Sequence, residues 1–414
     1  MKFWIKKVLL APLVGLSGVL FMAAAGAATQ RIDAVFQPSP SHPMRNEFVN
    51  TTPNSGYCAI YPGVCQSFGM FSIRLPIRFT SSRAIEANHA NERDGAMFKV
   101  PANWRELTVT HAATGEVQTL KLRIHGLGST YRFNQPVNEL VENTPGNGHY
   151  LLWGGASWVY PPPACLYSGL AAYTAYTYMF FWRTPAEAVC AKRASYRIPF
   201  MTYDYLDMAY QLQTPDPLKM LSGMYTGSLT YTLGPNQDFD MGDVMIPDDG
   251  ALTLNFVLAV QHTLKVDIPP GGNKVDLVPL AGWQGWLNSG RKPARLFRDQ
   301  TFVISTTSRF KMQMQCQYPV GDTCGLQDRL GNQVPLHVQV SLPNGLVGSS
   351  GEAVTRRPLL LSGAGTELLQ PSRYVDFKPG TLHFEIRQAD VEQMLTREAG
   401  TYKGNVTVVW DSQI

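Results

Sequence analysis

The sequence predicts an all-β protein made of β-sandwiches, and three observations carry that expectation. Apolar residues recur at every second position in one segment after another. Long helical periodicity is scarce. The 414 residues include 36 glycines and 29 prolines, which cut the chain into short pieces. Alternation puts successive side chains on opposite faces of a strand, so one face can bury while the other stays wet. The turn residues supply the connections. The clearest runs are Phe310, Met312 and Met314; Leu336, Val338, Val340 and Leu342; and Leu382, Phe384 and Ile386. The length exceeds one typical domain, so two are expected.

In chain order, the first segment is a leader. Lys2, Lys6 and Lys7 precede an uncharged apolar run from Val8 to about Ala25, and Ala25-Gly26-Ala27 offers a small-x-small exit. These are the three parts of a secretory signal peptide, so residues 1–27 are expected to be removed. A membrane anchor is the rival reading, but no basic stop-transfer cluster follows and no second apolar span occurs. Removing the three lysines lowers the formal charge from +4 to +1. A near-neutral chain has no general electrostatic case for nucleic acid.

The six cysteines fall into three close pairs, Cys58/Cys65, Cys165/Cys190 and Cys316/Cys324. Six cysteines allow 15 connectivities. In an exported chain, disulfides between nearest neighbours are the simplest reading. No pair is C-x₂-C and no histidine pair stands beside one, so no metal is expected.

The stretch from Leu252 to Ile268 alternates for seventeen residues, long for one strand. Its polar break, Gln261-His262-Thr263, divides it into Leu252–Val260 and Leu264–Ile268. The expected domains are therefore 28–261 and 262–414. An internal repeat supports the division. Gly223-Met-Tyr225-Thr-Gly227-Ser-Leu229-Thr-Tyr231-Thr-Leu233 matches Gly400-Thr-Tyr402-Lys-Gly404-Asn-Val406-Thr-Val408-Val-Trp410. Each copy follows an Asp-x-x-x-Met-Leu segment, at Asp216 and Asp390, where Asp suits the cap of a helical turn. After the first copy comes the strand Leu252–Val260; after the second the chain reaches Ile414 with no counterpart. The expectation is a second sandwich lacking its closing strand. An edge of that kind exposes backbone and core and has to be covered, and strand donation by a partner is a known remedy. An ordinary final strand in a complete sandwich is the alternative.

On these residues the chain resembles the tip adhesins of class 5, or α-clade, chaperone–usher fimbriae, the CblD-like pilus-biogenesis initiators. The resemblance is carried by the Cys58/Cys65 and Cys165/Cys190 pairs, the Gly223-Met-Tyr225 strand, the closing strand Leu252–Val260 and the terminal strand Gly400–Trp410. It implies two immunoglobulin-like sandwiches, an adhesin domain followed by a pilin domain. It also implies a periplasmic chaperone, an outer-membrane usher and a major pilin subunit that donates a strand, with the product exported to the cell surface at the fimbrial tip. Val406, Val408 and Trp410 would then face the chaperone and the donated strand, and the chaperone would hold the Ile414 carboxylate with basic residues. A shaft subunit also needs a donor strand of its own. Ile32, Ala34 and Phe36 alternate only briefly before Pro38, Pro40 and Pro43, which favours a tip position.

A receptor surface is sought from Tyr150 to Trp182, where eleven aromatic residues, both ends included, surround Pro161-Pro162-Pro163. Aromatic rings with polar tips suit sugars. Tyr176, Tyr178 and Phe180 alternate like a buried strand face, whereas Trp153 and Trp158 near Gly154 and Gly155, and Tyr160 before the prolines, read as exposed. Arg123, Arg132 and Arg183 are candidates for an acidic host glycan. In class 5 adhesins a basic cluster is implicated in receptor binding, but the corresponding places here hold Gly234-Pro235 and Pro53. That site is not carried over.

No G-x-S-x-G, H-E-x-x-H or phosphate loop is present, and Gly126-Leu-Gly128 lacks the third glycine of a dinucleotide site. Asp248-Asp249 between Pro247 and Gly250 reads as a turn rather than a glycosidase acid pair. No enzyme and no cofactor is expected. A structural pilus initiator without a receptor, and a secreted glycan-active enzyme, remain as alternatives.

Overall fold

The computed structural model describes residues 28–412 apart from 43, 145, 146 and 155. The leader at 1–27 and Ile414 lie outside the described residues. The fold is all-β, with short helices at the edges. No described helix is long and apolar enough to cross a membrane.

Residues 28–260 build a 13-stranded sheet that curls around one core. Its principal members are β1 (Ala28–Phe36), β2 (Phe71–Leu75), β3 (Arg105–His111), β4 (Val117–Phe133), β5 (Thr177–Arg183), β6 (Leu206–Gln213), β7 (Gly223–Thr232) and β8 (Ala251–Val260). Strand β4 is the spine: it pairs with β3 along its first half, with β6 in its middle and with β5 toward its end. Leu120, Leu122, Ile124, Leu127, Tyr131 and Phe133 of β4 all bury in the core. The inward positions change from even to odd because the β4–β6 register slips. Ala209 pairs with Gly126 and Tyr210 with Ile124, leaving His125 as the extra residue of a bulge. Gly126 and Gly128 beyond it have a packing role. A Cβ at either would lie within 2.7 Å of the Phe181 side chain, which crosses over them. Phe181 in turn stacks on Tyr57 at 4.0 Å. Tyr57 opens α1 (Tyr57–Ile60), followed by α2 (Pro62–Ser67), and this pair covers the outer face of the sheet as a small cluster of its own.

Residues 264–411 hold a second core. Its sheet includes β9 (Leu264–Asp267), β10 (Leu296–Thr306), β12 (Thr323–Gln327), β13 (Gln333–Ser341) and β14 (Val375–Ile386), in the order β9-β10-β14-β13-β12. Facing it is a two-stranded sheet of β11 (Lys311–Cys316) and β15 (Val406–Asp411). Helices α3 (Gly282–Ser289) and α4 (Gln388–Leu395) lie in the connections. Among the described residues no strand pairing crosses 261–263. His262 in that break hydrogen-bonds the Met220 carbonyl at 2.9 Å and lies 3.2 Å from the Thr307 hydroxyl.

The disulfides are Cys58–Cys65, Cys165–Cys190 and Cys316–Cys324. The two Asp-x-x-x-Met-Leu segments differ. Asp216 does cap a single turn, its side chain accepting the Leu218 N–H at 3.1 Å. Asp390 does not cap: α4 starts earlier, behind Arg387, and Asp390 stands in its first turn. There its charge meets the helix dipole rather than one amide.

Candidate functional site

The two copies of the repeat are built alike up to one point. In the first, β7 pairs along its full length with β8, from Gly223 opposite Val260 to Thr232 opposite Ala251. Strand β8 is closed on its other side by β1, which runs parallel to it. Leu252, Leu254, Phe256, Leu258 and Val260 consequently point into the core and are at most 3% exposed. Gly227 is needed because a Cβ there would stand 2.2 Å from the Thr108 carbonyl oxygen of β3. Gly404 repeats the device: its Cβ would stand 2.9 Å from the carbonyl oxygen of Gly325 in β12.

In the second copy, β15 pairs with β11 through Val406 opposite Cys316, Val408 opposite Met314 and Trp410 opposite Met312. The position that β8 occupies beside β7 has no strand here among the described residues. Strand β9, which among the described residues pairs only with β10, forms the opposite rim. Between the rims lies a groove of about 350 Å³. Val266, Ile268, Val275 and Leu277 line one side, Val406, Val408 and Trp410 the other, and Phe302, Leu336, Leu382 and Phe384 the space between. Trp410 meets Phe302 edge-on at 4.8 Å and yet stays half-buried, as do Val406 and Val408. Two rims with unpaired backbone and an apolar bed between them are what an added strand requires.

Of the residues singled out in the sequence, Val406, Val408 and Trp410 thus come together on one wall. Trp153 and Trp158 are a correction. They are 2% and 0% exposed, face each other at 5.1 Å, and belong to the core. Trp182 Nε1 donates to the Trp158 carbonyl at 2.7 Å, and Trp153 Nε1 donates to the Tyr131 hydroxyl at 3.3 Å. Gly154 is exposed, yet the segment is anchored on both sides of Trp153. The Gly154 N–H donates to the Arg193 carbonyl, and Trp153 bridges Ala194, which pulls the segment onto the residues that follow the short strand Cys190–Lys192. Tyr178 and Phe180 are buried, but Tyr176 is exposed at a turn. Tyr160 is exposed and lies 6.3 Å from Tyr167, rings nearly parallel. Arg132 is exposed and paired with Asp204 at 2.8 Å.

Arg123 and Arg183 approach one residue that sequence reading missed, His125. Burial, and then the two arginines, lower its pKa to about 4, so it is neutral at pH 7. The parity switch between Ile124 and Leu127 was the available signal for it.

A serine, a histidine and an acid also meet on the second sheet. Ser341 Oγ lies 2.8 Å from His383 Nε2, and His383 Nδ1 lies 2.7 Å from Asp299. The order is that of a hydrolytic triad. Here, however, the Ser341 hydroxyl accepts the Arg356 N–H at 3.0 Å, and His383 stands directly opposite Asp299 in the ladder. The arrangement clamps β13, β14, β10 and the 356 turn together.

No family model and no curated protein matches the sequence. Among solved structures, the chain is similar to CfaE, the adhesive subunit of CFA/I fimbria of enterotoxigenic Escherichia coli. That match has 10% identity and a TM-score of 0.22, over 93% of this chain and 92% of that one. It is also similar to a chain of the CsuC–CsuE chaperone–tip adhesion subunit pre-assembly complex from the archaic chaperone–usher Csu pili of Acinetobacter baumannii, at 9% identity and a TM-score of 0.21, over 93% and 98%. A chaperone–tip adhesin complex of CFA/I fimbriae biogenesis matches at 10% and 0.22, over 94% and 97%.

Proposed function

We propose that the chain is a tip subunit of a chaperone–usher fimbria, with domains at 28–261 and 262–414. The second domain accepts a donated strand, first from a periplasmic chaperone and then from a major pilin subunit at the outer-membrane usher. The first domain presents a surface for a host glycan. The carrying observation is the groove between β9 and β15, open where β8 closes the first domain.

Strand β1 supports a tip rather than a shaft position. All nine of its residues pair with β8, and Ile32, Ala34 and Phe36 are buried in the chain's own core. That segment is spent at home and is not available as a donor.

The test is coexpression of the full chain with a candidate periplasmic chaperone. A one-to-one complex is expected, and deletion of residues 404–414 abolishes it. Recovery of the chain alone, with the deletion changing nothing, refutes the proposal.

A further inference from the structure

Two arginines on the outer face of the first sheet lack a carboxylate partner among the described residues. Several other arginines of residues 28–260 have one: Arg74 pairs with Asp207, Arg93 with Asp240 and Asp243, Arg105 with Asp238, and Arg132 with Asp204. Arg123 and Arg183 are instead held by rings and neutral groups. The Arg123 guanidinium lies 4.7 Å over Trp104, and its Nε donates to Gln211 Oε1 at 2.6 Å. Arg183 lies 4.0 Å over Phe68 and donates through Nε to the Tyr167 carbonyl at 3.3 Å. Gln211 also donates to the Phe68 carbonyl, so one network supports both cations.

His125 is the second observation. The bulge leaves it beside both arginines and only 8% exposed, its ring 6.5 Å from that of Phe68. Its Nδ1 is buried and has no hydrogen-bond partner. A buried polar atom without a partner is uncommon and calls for an explanation. Beyond Arg183, Tyr160 and Tyr167 stack with more than half of each side chain in solvent.

We infer that this face binds an acidic saccharide, its carboxylate or sulfate received by Arg123 and Arg183 and its ring laid on the Tyr160–Tyr167 pair. A guanidinium offers two parallel donors that match a carboxylate or sulfate edge, and stacking on a ring fixes its plane beforehand. Tyrosine faces suit the apolar side of a sugar. The inference rests on the glycan-binding role proposed for the first domain and gives that role a site and a ligand class.

The test applies the full chain to an array bearing sialylated, sulfated and neutral versions of the same glycans. Binding is expected on the acidic spots, and the sialylated and sulfated arms distinguish carboxylate from sulfate. Arg123→Gln and Arg183→Gln each weaken it by about ten- to hundredfold, the loss of one charged hydrogen-bond set. Arg183→Lys, which keeps the charge but not the fork, falls between. Arg132→Gln, engaged elsewhere with Asp204, leaves binding unchanged. Unfolding midpoints equal to that of the parent chain show that the variants fold. Equal binding to neutral glycans, no binding to any, or indifference to both arginine changes overturns the inference. Chaperone capture measured on the same preparations separates the two ideas: capture without acidic-glycan binding overturns this inference alone, and loss of both takes the proposed function with it.

Discussion

Val408→Arg separates a strand-accepting groove from an ordinary sheet edge. In the chain alone Val408 is half-buried beside Met314 and open toward the groove. Half of a valine side chain's burial is worth about 1 kcal/mol, and an arginine there can turn its head to solvent along its own stem. The variant should therefore unfold within about 1 kcal/mol of the parent. With a strand in the groove the escape closes. The charge would sit over Phe302 and Leu382, among residues that offer no carboxylate. Leaving a charge buried and unpaired costs several kcal/mol, so complex formation should weaken by more than about hundredfold. The assay is a titration of chaperone against parent and variant chains, with urea unfolding of each chain alone as control. A variant that binds within fivefold of the parent refutes the groove as the acceptor site. A variant that unfolds spontaneously points instead to a closed core.

Further outcomes follow from buried groups in the first domain. Asp207 is 2% exposed, and burial raises its pKa from 3.8 to about 6, the Arg74 guanidinium at 3.2 Å offsetting only part of that. An acid whose pKa is raised by folding is held best while protonated. Its contribution is therefore largest below about pH 4 and falls by about 3 kcal/mol as pH rises to about 6. Urea unfolding between pH 4 and 7 should show a slope that Asp207→Asn lacks; identical slopes in both chains contradict this account. Trp158→Ala should cost about 3–5 kcal/mol, as for other buried tryptophans, whereas Tyr160→Ala should change stability by less than about 0.5 kcal/mol. The reverse order would return Trp158 to the surface.

Much of the fold was legible because strand alternation is local. The side chains of Leu252–Val260, Leu336–Val340 and Leu382–Ile386 announce a buried face wherever their partners come from. The repeated Gly-x-Tyr-x-Gly was equally plain, since both copies need a glycine where a neighbouring carbonyl presses in. The candidate site was less legible. Trp153 and Trp158 looked exposed because glycines flank them, but a bridge to Ala194, forty residues on, turned them inward. His125 went unnoticed because a bulge is a mismatch between two strands, and β6 lies eighty residues away. Arg123, Arg132 and Arg183 looked equivalent until Asp204 claimed one of them.

By itself, then, the sequence determined which segments are strands, which face of each is apolar, and that one strand pattern occurs twice. Those are properties of neighbours a few residues apart. Only the tertiary structure decided that the second copy borders an open groove, which rings are core, and which arginines remain unpaired. Each of these depends on what lies across a sheet, and alternation along one strand states that a face must be covered without stating by what.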